Sequence, residues 1–221
     1  MGALAAANEV TLSFNAAVGG ALPALETIEE AKCHGTITSL SGVLNGTTNF
    51  ILDRIAQGEE LHEAIEAAQR AGYAEADPTL DLDGTDAAQK LILLVRAAFG
   101  VSLPLAEIPR QGIERLNAES LGDARKRGRT MRLVVSCRSC RAGLEATVAP
   151  IELPLDHPFA RIRGAQNGLT VEMKNGAKRF VFGTGAGRWP TTEAVIADLL
   201  AIRREFSGGE SAGIELEECV A

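Results

Sequence analysis

Gly42-Val43-Leu44-Asn45-Gly46-Thr47-Thr48-Asn49-Phe50 carries the chain from a strand into a helix within nine residues. Upstream, Thr36 to Leu44 has strand character and stops at Asn45-Gly46. Downstream, a helix is expected from about Thr48 to Gln57, with Phe50, Ile51 and Ile55 on one face. Free backbone N–H groups and two hydroxyls at a helix start suit a carboxylate or phosphate oxygen. Simple capping by Thr47 or Thr48 explains the same residues, and taken alone they favour it.

Working outward, Val10 to Phe14 reads as a short strand running into a small-residue turn, Ala16 to Pro23. Pro23 suits the first turn of a helix, where its missing N–H would be unpaired anyway. Leu25, Ile28 and Ala31 or Cys33 then form a helical stripe. On the other side, Leu61 to Ala71 is a helix with Ile65 and Ala68 inward, ended by Gly72. Tyr73 to Gly84 is an acidic loop. Asp86 to Phe99 has Ala87, Leu91, Leu94, Val95 and Ala98 at helical spacing, and Gly100 closes it.

After Pro104 the texture changes. Ile113 to Leu116 reads as a strand and Asn117 to Gly128 as a short polar helix. Thr130 to Cys137 and Gly143 to Pro150 form a hairpin. Gly168 to Met173 and Arg179 to Gly183 form a second, turning at Lys174-Asn175-Gly176-Ala177, where Asn-Gly is a strong hairpin signal. Thr191 to Arg204 is a helix. Helices lead the first half and strands the second, but they interleave enough for one α/β (α+β) domain over residues 1–206. Residues 207–221, rich in Gly and Glu, are expected to be a flexible tail.

The chain has 221 residues, 46% hydrophobic and 23% charged, enough to bury a core without disulfides or a structural metal. Its formal net charge of −7 exerts no pull on phosphates, and 4% aromatics leave little for base stacking, so no nucleic-acid partner is expected. No apolar run approaches the roughly 20 residues that cross a bilayer, and Met1 to Ala7 lacks the basic flank of a signal peptide. Four scattered cysteines point to a reduced cytoplasm, with no membrane partner. Cys137 and Cys140 make one CxxC, and a structural zinc needs a second pair. His62 and His157 read as structural.

The richest chemistry lies in Gly72 to Lys90, with five carboxylates and one lysine in nineteen residues. Asp86 and Lys90 are four apart on one helix face, a spacing that surface ion pairs also use. The helix bearing Lys90 is otherwise apolar, and the preceding loop brings Glu75, Asp81 and Asp83 towards its start. Such a cluster repels itself unless cations or donors sit within it, so it suits a substrate ammonium, with a lysine as proton donor. An EF-hand register fails, because Lys90 falls where the bidentate Glu must stand. Gly183-Thr184-Gly185-Ala186-Gly187-Arg188 precedes a helix, but Arg188 occupies the last glycine of a dinucleotide fingerprint. It could still form a backbone lip against a cofactor held elsewhere.

These three motifs, in this order, resemble the homoserine dehydrogenase family. The likeness runs from about Val10 to Arg203 and is most specific at residues 42–52, 72–78 and 83–90, with support from His157-Pro158-Phe159-Ala160 and residues 183–187. The resemblance implies NAD(P)-dependent interconversion of L-homoserine and L-aspartate 4-semialdehyde, a step towards threonine and methionine. Lys90 would be the general acid/base, with Asp86 beside it. Glu75, Asp81, Asp86, Asn45 and Thr47 would bind the amino-acid substrate, and Gly72, Gly185, Ala186 and Gly187 would border the nicotinamide. Asn15, Val18, Gly20 and Leu22 match the family's monovalent-cation (Na+ or K+) turn, although the family has Glu where Asn15 stands. The implied fold is a mixed β-sheet with helices packed on one face, assembling as a homodimer. The family's Rossmann domain has no counterpart here, so the chain corresponds to the substrate-binding and dimerisation portion and is expected to be poorly active alone. The competing expectation is a non-catalytic module that dimerises or binds an amino acid.

Overall fold

The computed structural model describes residues 2–185 and 187–207. Five strands form one sheet in the order β3-β2-β1-β4-β5: β1 (Ile37–Val43), β2 (Arg129–Cys140), β3 (Gly143–Pro154), β4 (Gln166–Met173) and β5 (Lys178–Thr184). Every ladder between these strands is antiparallel, and the parallel component is an isolated bridge between Arg110 and Val148. In central β1, Leu40 pairs with Cys137 on one side and Val171 on the other, and all three are buried. Its neighbour Ser41 pairs with Ser136 and Thr170, which face the other way, as the two-residue strand period requires.

The Leu40 face is covered by helices α3 (Ala24–His34), α4 (Gly46–Ile55), α5 (Leu61–Arg70) and α7 (Thr85–Phe99). Ile28, Ile51, Leu52, Ile55, Leu91 and Leu94 are essentially inaccessible. Helices α1 (Gly2–Ala7), α2 (Asn15–Gly19), α6 (Thr79–Leu82), α8 (Ala118–Lys126) and α9 (Arg188–Ser207) lie around this layer. On the opposite face, the short 3-10 segment Pro158–Arg161 brings Phe159 and then Ile162 against Val43, Val134 and Leu153. Helices therefore occupy one face, as expected. No described helix is long and apolar enough to cross a membrane.

Two expected strands are absent. Val10 to Phe14 belongs to no strand, and Val10 and Leu12 stay exposed; β-branched residues make a strand only with a neighbour to complete the ladder. Ile113 to Leu116 is a turn, with Ile113 buried and its N–H donated to the Leu82 carbonyl at 2.8 Å. Part of the small-residue turn after Phe14 closes into α2. Strands β2 and β3 run past their expected ends, leaving a tight turn at Arg141-Ala142. Of the expected tail, Ser207 ends α9 and residues 208–221 lie outside the described residues.

Candidate active site

Asn45 stands between β1 and α4 with an extended backbone. Its Oδ1 accepts the Thr48 N–H at 2.8 Å, capping the helix. The amide nitrogen then faces the other way, donating to Asp81 Oδ1 at 2.6 Å and Asp86 Oδ2 at 2.8 Å. These three bonds fix the amide's orientation, because only its nitrogen can serve two carboxylates.

The two acids come from successive helices. Asp81 lies in α6 and Asp86 in the first turn of α7. Between them Gly84 adopts a left-handed conformation (φ 82°), a turn that a side chain would strain. Asp83 takes no place beside them: its Oδ1 accepts the Thr85 N–H two residues on, in the turn that enters α7. One turn along, Lys90 Nζ donates to Asp86 Oδ2 at 2.8 Å and to the Leu44 carbonyl at 3.0 Å. An ammonium has three N–H bonds, so one is left for the cavity that Lys90 lines. The Asp81 carboxyl is pushed above its ordinary pKa, first by burial and then by the charge of Asp86; Asn45 and Lys90 oppose the shift.

The cavity measures about 550 Å³, a size that suits a small amino acid with a flat ring beside it. Loop 72–78 forms one wall. The Thr47 hydroxyl donates to the Tyr73 carbonyl at 2.6 Å, and the Tyr73 ring stacks on Phe50 with centroids 4.6 Å apart. Glu75 and Asp77 are exposed at the rim. Asp77 accepts from the N–H and hydroxyl of Thr79, the hydroxyl bond first in holding its carboxyl below the usual range. Across the cavity stand Ala165, Gly185 and Gly187, with Gly72 on the loop side. The Gly185 N–H donates to the Ala165 carbonyl at 2.7 Å, and a Cβ on Gly185 would overlap the Asn167 amide. Ala186 lies outside the described residues.

The structure thus gathers Lys90, Asp86, Asp81 and Asn45 into one hydrogen-bonded group. Thr47 lines the cavity with its proton committed to the loop, and Glu75 stands at the rim. Sequence reasoning missed the Leu44 carbonyl, which no side-chain pattern announces.

The four residues of the cation turn fall together at α2 and its exit. Asn15 donates to Asp198 on α9 through Nδ2 at 2.7 Å and through its backbone N–H at 3.3 Å. Its Oδ1 is buried without a partner among the described residues. An orphan amide oxygen beside a carboxylate is a donor chemistry that fits a hard cation. Asp198 was also missed, because 183 residues separate it from Asn15. Cys137 and Cys140 do not form a metal pair. Three residues apart on β2 they point to opposite faces, and burial pushes the Cys137 thiol up to about 11. His157 accepts the Phe159 N–H, a structural role.

The homoserine dehydrogenase family model matches residues 23–200. The chain belongs to the homoserine dehydrogenase family. It is 34% identical over 203 residues to homoserine dehydrogenase of Bacillus subtilis, covering 91% of this chain and 47% of that protein. The Corynebacterium glutamicum enzyme is 35% identical over 216 residues, covering 95% and 48%. A crystal structure of homoserine dehydrogenase from Thiobacillus denitrificans superposes with a TM-score of 0.88 at 36% identity, covering 93% of this chain and 48% of that one. A hyperthermophilic archaeal homoserine dehydrogenase mutant, solved in complex with NADPH, superposes at 0.77 with 27% identity, covering 92% and 59%. The chain spans about half the length of the curated relatives it matches. It is therefore a member of an oxidoreductase family whose fold these structures share.

Proposed function

We propose that the acid-lined cavity binds L-homoserine and L-aspartate 4-semialdehyde and contributes the proton-transfer group for their NAD(P)-dependent interconversion. The observation that carries this reading is the Lys90 nitrogen, held by Leu44 and Asp86 with one N–H left over at the cavity. In the reducing direction the Lys90 ammonium gives its proton to the aldehyde oxygen as charge builds there. In the oxidising direction the neutral amine takes the alcohol proton. Asp86 and the Leu44 carbonyl keep the nitrogen in place through both.

Asp81, and Glu75 at the rim, are the carboxylates for the substrate ammonium. Asn45 spends all three of its contacts inside the protein, so it positions Asp81 and Asp86 rather than touching substrate. When bound, nicotinamide supplies or accepts the hydride. Gly185 and Gly187 on one side and Gly72 on the other carry no side chains, so a ring can approach there. Asn15 Oδ1, with the carbonyls of Val18 and Gly20, would hold Na+ or K+ beside Asp198 and stiffen the turn that packs against Thr184. A homodimer is part of the same reading, supported by Ile151, Phe180 and Phe182 left exposed on the sheet face away from the helices.

The test is homoserine oxidation by the chain fused to the remaining half of a relative. Lys90→Ala is expected to lower turnover by about 10²–10⁴-fold. Turnover close to that of the unsubstituted fusion refutes the proton-transfer role.

A further inference from the structure

A second polar cavity, of about 480 Å³, opens at the C-terminal end of α4. Its walls are the last turns of α4 and α8, the first residues of β2, and the loop after the Pro158–Arg161 segment. Three guanidiniums line it: Arg125, Arg129 and Arg163. Asp53 is the carboxylate that lines it, and Asp53 is already engaged. Its Oδ1 meets Arg132 Nη2 at 2.8 Å and its Oδ2 lies 3.8 Å from Arg163 Nε. Arg132 is 1% exposed, and its Nε is buried without a partner among the described residues. Behind the cavity, Glu152 is shared by Arg127 and Arg129 at 3.0 and 2.9 Å.

Arg125, Arg129, Arg132 and Arg163 therefore stand around Asp53 and Glu152, in a chain whose net charge is −7. Burial pulls the Arg132 pKa down; Asp53 opposes this, while the nearby charge of Arg163 adds to it. Arg125 is the least committed, with one 3.3 Å bond to the Ala56 carbonyl. Guanidinium forks match phosphate and carboxylate oxygens in pairs. The volume of this open cleft suits a small molecule. The overall negative charge opposes a duplex or an anionic membrane surface.

We propose that this cavity binds a small, multiply charged anion, a phosphate ester or a polycarboxylate, through Arg125, Arg129 and Arg163. It is separate from the Lys90 cavity, at the other end of a ten-residue helix, and it does not depend on the redox reading.

Calorimetric titration of the whole chain with inorganic phosphate and, separately, citrate at constant ionic strength tests this. Saturable 1:1 binding is expected. Arg125→Gln and Arg163→Gln are each expected to weaken it about tenfold, with circular dichroism confirming the fold; if Arg163→Gln unfolds, Arg125→Gln decides. Lys126→Gln, which removes an exposed charge one residue away, and Lys90→Met should leave it within about twofold. Binding of phosphate alone identifies a phosphoryl ligand, of citrate alone a polycarboxylate, and of both their shared chemistry. The proposal is overturned if neither anion saturates, if Lys126→Gln costs as much as Arg125→Gln, or if Lys90→Met abolishes binding.

Discussion

Helix α4 ends in opposite charges. Its N-terminus faces Asp81 and Asp86, and its C-terminus faces the arginines of the second cavity. Both placements agree with the helix macrodipole, each worth roughly 0.3–1 kcal/mol. The two ends manage their charge differently. At the acidic end a neutral amide, Asn45, joins the helix cap to both carboxylates, and a single cation, Lys90, is tethered to one of them. At the basic end the buried Arg132 depends directly on Asp53. The acidic end holds one ammonium in place with an N–H to spare, whereas the basic end gathers more guanidiniums than carboxylates.

The contrast can be broken at either end, and the largest effect is expected from Lys90→Ala in the fused enzyme, as above. Next, Asp53→Ala should destabilise the fold by about 3–5 kcal/mol, read by urea denaturation, because Arg132 would remain buried without its partner. A loss under 1 kcal/mol would mean that water replaces the carboxylate. Asn45→Ala should cost about 2 kcal/mol through the lost cap and the two carboxylate bonds. Asn45→Asp keeps the cap but sets a third carboxylate against Asp81 and Asp86. Its penalty should therefore grow more steeply between pH 4 and 7 than that of Asn45→Ala, which removes a neutral donor from the ionised carboxylates without adding a charge.

The smallest effect has the opposite sign. A carboxyl whose folded pKa is raised stabilises the fold below its unfolded value, and that contribution is lost as pH rises through the folded pKa. Asp81 is such a group. Asp81→Asn keeps an acceptor for Asn45 and removes the charge, so it should stabilise the fold at pH 7 by about 0.5–1 kcal/mol. The gain should vanish below pH 3.8, and homoserine affinity should fall at neutral pH. Thermal melts across that range check it.

Much of the acidic end was legible in the sequence. The strand stop at Asn45-Gly46, the i,i+4 pairing of Asp86 with Lys90 and the acidic loop before them are local patterns, and local patterns survive folding. Asn45 was legible as a site residue but not as a brace, because its role depends on where α6 places Asp81, 36 residues on. The basic end was not legible. Asp53 and Arg132 are 79 residues apart, and only the antiparallel return of β2 brings them together. Asp198 lay hidden for the same reason. Val10 to Phe14 misled in the other direction, since its composition suits a strand and none of the described strands pairs with it.

In the proposed function, the carboxylates beside Lys90 receive the substrate's ammonium. Carboxyl ¹³C NMR of Asp81, recorded against pH with and without saturating L-homoserine, tests it most directly. A midpoint above 3.8 is expected in the free protein, falling when the amino acid binds, because a cation in the cavity favours the ionised form. A midpoint that L-homoserine leaves unmoved at saturation would contradict it.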